Sequence, residues 1–211
     1  IGTNRDETKL FLFFDKSLDW REEYYQAVGK YGSQFWRYEG MDSVAEALTS
    51  HAGQPHVYAY RFDWGSPNEL GESPLPGNWG ARLGAFHSLE IPFFLGTDTI
   101  NGLFLTGRLF NSSNRESRDS LSRVIMAYLY SFIRTGNPNS EKAPYSIEIP
   151  LPRWDFWKTG SPAGLIFDTQ GESPHLKPLK DSLTREGIVR EMRENLPEPL
   201  FSEVLSRVHP R

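Results

Sequence analysis

The chain has 211 residues, enough for one domain with a sizeable core and too few for two large ones. Its 23 Lys and Arg against 27 Asp and Glu give a net charge of -4, so no basic field draws in phosphate backbones and no nucleic-acid partner is expected. No cysteine is present, which removes disulfides, thiolate nucleophiles and sulfur-bound zinc while leaving the compartment open.

The opening residues, IGTNRDETKL, do not read as a leader, and Ile1 and Gly2 run straight into a polar segment, so the chain is expected to begin mid-element. Leu10 to Phe14 form a buried-looking run whose type the periodicity leaves open. Asp19 and Glu22 have capping-box spacing and predict a helix over 20–31, stopped by Gly32. Ser43 and Glu46 repeat the device before Val44, Ala47 and Leu48, with Gly53 and Pro55 closing that helix. Over 57–62 the β-branched and aromatic content predicts a strand with Tyr58, Tyr60 and Phe62 on one side. Residues 64–84 are rich in Gly, Pro, Ser and Asn and predict a long surface loop leading to His87.

Leu121, Val124, Ile125, Tyr128, Leu129 and Phe132 recur at three and four residues, predicting a helix over 117–135 that Gly136 and Pro138 end. From 138 to 180 the chain is rich in Pro, Gly and Ser, apart from Trp154, Phe156, Trp157 and the Leu165-Ile166-Phe167 run, which predicts a hairpin or an edge. Two polar amphipathic stretches, 184–195 and 200–208, finish it. No apolar run approaches the roughly 18 residues that cross a bilayer, so a soluble chain without a membrane span is expected. Internal repeats and a clear domain boundary are both absent from the sequence.

Chemistry that uses imidazole must come from His51, His56, His87, His175 or His209. His51 and His56 are five apart across Gly53 and Pro55, not the one-turn spacing that seats two imidazoles on one metal, and no carboxylate completes a site. Neither a metal nor a cofactor is expected. His175 and His209 stand beside prolines in polar surroundings and read as exposed and idle. His87 follows a Gly-rich loop after a strand, a place where a general base is held; a structural histidine bonded to a carbonyl is the alternative. Gly71-Glu72-Ser73-Pro74-Leu75 and Gly171-Glu172-Ser173-Pro174-His175 approach the Gly-x-Ser-x-Gly nucleophile elbow. Both lack the closing glycine and carry proline where the helix should begin, so both read as turns.

Four segments together resemble the type-B carboxylesterases, the family that includes the cholinesterases and has the α/β-hydrolase fold. Gly2-Thr3-Asn4-Arg5-Asp6-Glu7 is similar to that family's Gly-x-Asn-x-Asp-Glu segment, and Gly84-Ala85-Phe86-His87-Ser88-Leu89-Glu90-Ile91-Pro92-Phe93 to the segment bearing its catalytic histidine. Tyr58-Ala59-Tyr60-Arg61-Phe62 resembles the strand before that loop, and Arg134-Thr135-Gly136-Asn137-Pro138-Asn139 the end of the following helix, with Trp154 fitting beyond.

The resemblance implies the C-terminal part of an α/β-hydrolase domain, spanning 1–211, with His87 as general base and Glu7 as the carboxylate that orients it. In this family the serine precedes the acid, so the nucleophile and oxyanion hole are expected in an N-terminal portion of the same esterase outside this chain, which would be the partner for hydrolysis of a small carboxylic ester. Many members have Gly after the histidine and the choline-binding ones an aromatic next. Ser88 and Leu89 stand there instead, which argues for a general ester substrate. Glu90 reads as a structural carboxylate, and the stretch between Glu7 and His87 is short for the family. The same fold also serves as an adhesion domain that has lost its serine, and retention of acid and base favours the enzyme.

Overall fold

The computed structural model describes residues 22–99, 106–147 and 149–209. They gather into two units, one formed by the chain ends, Ile1–Ala47 with Ser182–Arg211, and one by Leu48–Asp181. Because the first unit is built from both ends, no single stretch of sequence marks its border. The Leu10 to Phe14 run and the predicted Asp19 cap lie outside the described residues.

From Glu22, helix α1 (Glu22–Arg37) runs through a π-helical segment, Tyr38–Asp42, into α2 (Ser43–Thr49). The predicted stop at Gly32 does not occur. Tyr31 and Phe35 on either side of it are buried, and that burial outweighs the roughly 1 kcal/mol a helix glycine costs. Ser43 is not a cap either: its backbone is helical, and its hydroxyl donates to the Glu39 carbonyl at 3.4 Å, the competing bond available to a serine within a helix. The π segment ends on buried Asp42, which pairs with Arg37 Nε at 3.1 Å and accepts the Leu183 N–H at 3.1 Å. Helices α7 (Arg185–Asn195) and α8 (Leu200–Val208) form as the amphipathic spacing predicts, and Thr184 caps the first by accepting the Gly187 N–H. Ile188, Met192, Leu200 and Val204 close with Tyr31 and Phe35 into one core.

In the second unit, β1 (Ala59–Phe62), β2 (Gly164–Gln170) and β3 (Ser173–Leu179) make a sheet in that order, β1 parallel to β2 and β2 antiparallel to β3. The predicted strand is present but shorter, since Val57 makes only an isolated bridge with Trp157. The apolar run at 165–167 is the first arm of the β2–β3 hairpin. Register sets Tyr60 beside Leu165 and Phe62 beside Phe167, so these four share one face. Beyond the one-turn helix α5 (Thr106–Leu109), helix α6 (Arg115–Thr135) packs on β2 and β3 through Leu121, Val124, Ile125 and Tyr128, all buried with Leu165 and Phe167. Phe132 departs from the predicted stripe: it stays 42% exposed, with its ring edge-on to Tyr58. Gly164 is required at the β1–β2 contact, because a Cβ there would lie 2.6 Å from the Ala59 carbonyl oxygen. Strands and helices thus combine as an α/β arrangement, the fold class the sequence predicts.

Candidate active site

Strand β1 ends where the Asp63 N–H bonds the Phe167 carbonyl at 2.9 Å and the Asp63 carboxylate takes both Arg61 Nε and a terminal guanidinium nitrogen, at 2.8 and 2.7 Å. The stretch that follows is only in part the surface loop its composition predicts: residues 67–72 are exposed, but several of the residues flanking them turn inward. Trp64 is fully buried and donates its indole N–H to Ser117 Oγ at 3.2 Å, and Leu75 is buried with it. A short helix, α3 (Trp79–Leu83), occupies its end. Small residues here permit close approach rather than mobility. Ser73 Oγ donates to the Gly65 carbonyl at 2.7 Å, and Cβ atoms at Gly65 and Gly80 would meet the Gly84 carbonyl at 2.9 Å and Ser73 at 2.2 Å. Ser66 Oγ accepts the Ala85 N–H at 3.1 Å. The loop leaving β1 and the loop bringing the chain to His87 are therefore one interlocked piece.

His87 stands exposed on the turn 86–89, which the Leu89 N–H closes onto the Phe86 carbonyl at 3.1 Å. Leu89 is 0% exposed and anchors the far side in the core with Phe93. Leu89 is thus a packing residue, and its side chain does not face outward to select a substrate. The Ile91 N–H bonds the Ser88 carbonyl at 3.3 Å, and helix α4 (Ile91–Leu95) starts there with Pro92 in its first turn, where its missing N–H costs nothing. Glu90 is half-buried at the start of that helix and makes no side-chain cap bond. Burial first, then the Glu90 charge, pushes the Tyr60 hydroxyl above its ordinary range.

The Arg134-to-Asn139 segment acts on the same strand through Trp154. Gly136 takes a left-handed φ of 72° to end α6, and Ser131 Oγ, wholly buried, donates to the Asn137 carbonyl at 2.7 Å. Asn139 then bonds Trp154 twice, accepting its N–H at 2.8 Å and donating to its carbonyl at 2.9 Å. The Trp154 indole N–H reaches the Ala59 carbonyl on β1 at 2.8 Å. In the sequence these positions are linked only by resemblance; the bond chain from helix end to tryptophan to strand is their physical connection.

Glu7 lies outside the described residues. His51 is exposed, and His56 is exposed with its ring stacked on Phe156 at 3.9 Å. His175 is half-buried on β3 opposite Asp168, whose carboxyl burial pushes above the usual range. His209 is not idle: it is half-buried, stacked on Phe35 at 5.0 Å and bonded to Arg185. Among the described residues no cluster of three His, Asp or Glu could hold a metal ion. Neither near-elbow serine opens a helix, and neither is itself a turn residue as predicted: Ser73 lies two residues after left-handed Gly71, and Ser173 is the first residue of β3, just past the turn at left-handed Gly171. Missed in the sequence were Gly65, Ser66, Ser73 and Gly80, whose alternating small residues read as loop punctuation.

Residues 4–172 match the profile of the carboxylesterase family. Carboxylesterase 4A of Bos taurus is 31% identical over 134 residues, 59% of this chain and 21% of the bovine protein. The chain thus spans about a fifth of that curated relative. Among solved structures, a Geobacillus stearothermophilus carboxylesterase is 27% identical, with TM-score 0.41, over 66% of this chain and 23% of that one. A PNB esterase is 24% identical, with TM-score 0.40, over 68% and 23% of the two chains. An esterase from anaerobic Clostridium hathewayi, described as hydrolysing aliphatic aromatic polyesters, is 15% identical, with TM-score 0.38, over 87% and 31%. With four fifths of its length matched by one profile, the chain belongs to the carboxylesterase family.

Proposed function

We propose that this chain is the C-terminal portion of a single α/β-hydrolase domain and supplies the base and acid of a serine carboxylesterase. A serine outside these 211 residues attacks the ester carbonyl while His87 takes its proton. His87 then returns that proton to the departing alcohol, leaving an acyl-serine. Water, activated by the same imidazole, attacks the acyl carbon, and the serine recovers its proton as the acid leaves. Glu7 accepts the hydrogen bond from the other ring nitrogen, which fixes the tautomer and favours the imidazolium formed in each transition state.

The observation that carries this reading is the setting of His87: an outward imidazole on a turn whose two flanks are locked, by Leu89 in the core and by Ser66 on Ala85. A group that must meet a reacting atom within a fraction of an ångström needs such a rigid mount. The substrate class is a carboxylic ester with neither metal nor cofactor required. In the complete esterase His87→Ala is expected to abolish hydrolysis of p-nitrophenyl acetate, with kcat down at least about a thousandfold. Retention of most of the activity refutes the assignment.

A further inference from the structure

Among the described residues Ser88 is the one non-glycine with a positive φ, 74°. It is the third residue of the turn closed by Leu89 N–H on the Phe86 carbonyl, and His87 is the second. A positive φ confined to the third residue is the type II pattern, which favours glycine there because a Cβ is crowded by the neighbouring peptide carbonyl. Serine in that corner is strained, and such strain persists only where the surroundings fix the chain on both sides. Here they do. Upstream, Gly84 takes φ 55° against Ser66 and the Ala85 N–H is tied to Ser66 Oγ. Downstream, Leu89 is fully buried with its Cδ2 against Gly65, and the Ser88 carbonyl is held by the Ile91 N–H.

We infer that Ser88 is a positioning residue for His87, acting through its left-handed backbone rather than its hydroxyl. The central peptide of the turn joins these two residues. In the type II form its plane is fixed relative to the imidazole, whereas a relaxed negative φ at Ser88 turns that peptide over and changes ψ at His87 by more than a right angle. The imidazole direction therefore depends on an angle that most side chains resist. Glycine and asparagine tolerate it, and β-branched residues do not.

This inference rests on His87 being the base, and the test separates the two. In the complete esterase, kcat and KM for p-nitrophenyl acetate are measured per active site titrated with a fluorophosphonate, so that unfolded molecules do not count. Ser88→Gly and Ser88→Asn are expected to keep kcat within about threefold, and Ser88→Val to lose at least about tenfold in kcat with KM changed less than about twofold. Ser88→Gly is also expected to melt higher by roughly 2 °C, a readout that stands even where Ser88→Val yields no titratable sites. A tenfold loss in Ser88→Gly would assign the effect to the hydroxyl and overturn the inference, as would an undiminished kcat in Ser88→Val or an unchanged melting temperature in Ser88→Gly. His87→Ala, run alongside, reports on the base separately: its inactivity with a flat Ser88 series discards only the positioning role.

Discussion

Trp154→Phe probes the link between the end of α6 and the strand that leads to His87. In the native chain the indole is 7% exposed, donates to the Ala59 carbonyl at 2.8 Å, and meets the rings of Tyr58, Tyr60, Tyr128 and Phe167 at centroid separations of 5.3–6.4 Å. Phenylalanine keeps part of the ring packing and both Asn139 bonds, which go to the backbone of residue 154. What is lost is one buried hydrogen bond, about 1 kcal/mol or somewhat more because a buried carbonyl loses its partner. The smaller ring adds a cavity cost of roughly 1–2 kcal/mol. The sum, about 3 kcal/mol, is large against the roughly 5–15 kcal/mol that separates a folded domain from its unfolded chain. Urea unfolding of the complete esterase followed by tryptophan fluorescence should move the midpoint down at unchanged slope. Since β1 loses a tether, kcat per titrated site should also fall while KM holds. A stability within about 1 kcal/mol of the parent would mean that the indole bond and its ring contacts do not carry the strand.

One ion pair, one close contact and one half-buried acid give three further expectations. Asp42→Asn weakens the ion pair with Arg37 and is expected to cost about 3 kcal/mol by circular dichroism in urea; a loss under about 1 kcal/mol would show the pair to be incidental. Gly80→Ala drives a Cβ into Ser73 at 2.2 Å and should cost about 2 kcal/mol, but much less when made in a Ser73→Gly background, whose own loss of the Ser73 hydrogen bonds is measured separately; an equal cost in both backgrounds would place the strain elsewhere. Asp168 has its carboxyl raised above 3.8, chiefly by burial, so its charge is harder to bear folded than unfolded. The cost is present above the folded pKa and vanishes as pH falls towards the unfolded value. Asp168→Asn should therefore raise the melting temperature at neutral pH, with the gain shrinking to nothing near pH 3.8, and a gain that grows on acidification contradicts the sign.

How far the sequence speaks for this fold depends on whether a local pattern decides the outcome. The stripe on α6, the alternation on β1, the β2–β3 hairpin and the two final helices are all local periodicities, and all appear as elements. The helix through Gly32 and the π segment are decided by what Tyr31, Phe35 and Asp42 bury against residues near 183–204, information no window around them contains. The 64–84 stretch is legible only in part: 67–72 are exposed as predicted, while Gly65, Ser66, Ser73 and Gly80 serve close contact between two loops, and composition cannot separate that use from flexibility. His87 is singled out by its place after a strand and by resemblance, yet the strain at Ser88 is invisible in sequence, since a type II turn announces itself by glycine.

The most direct test of a base supplied to a serine elsewhere is intact and peptide mass analysis of the complete esterase after fluorophosphonate treatment, with and without His87→Ala. A single adduct is expected on a serine outside residues 1–211 in the parent and none in the variant. An adduct within these residues, no adduct in the parent, or equal labelling of His87→Ala would contradict it.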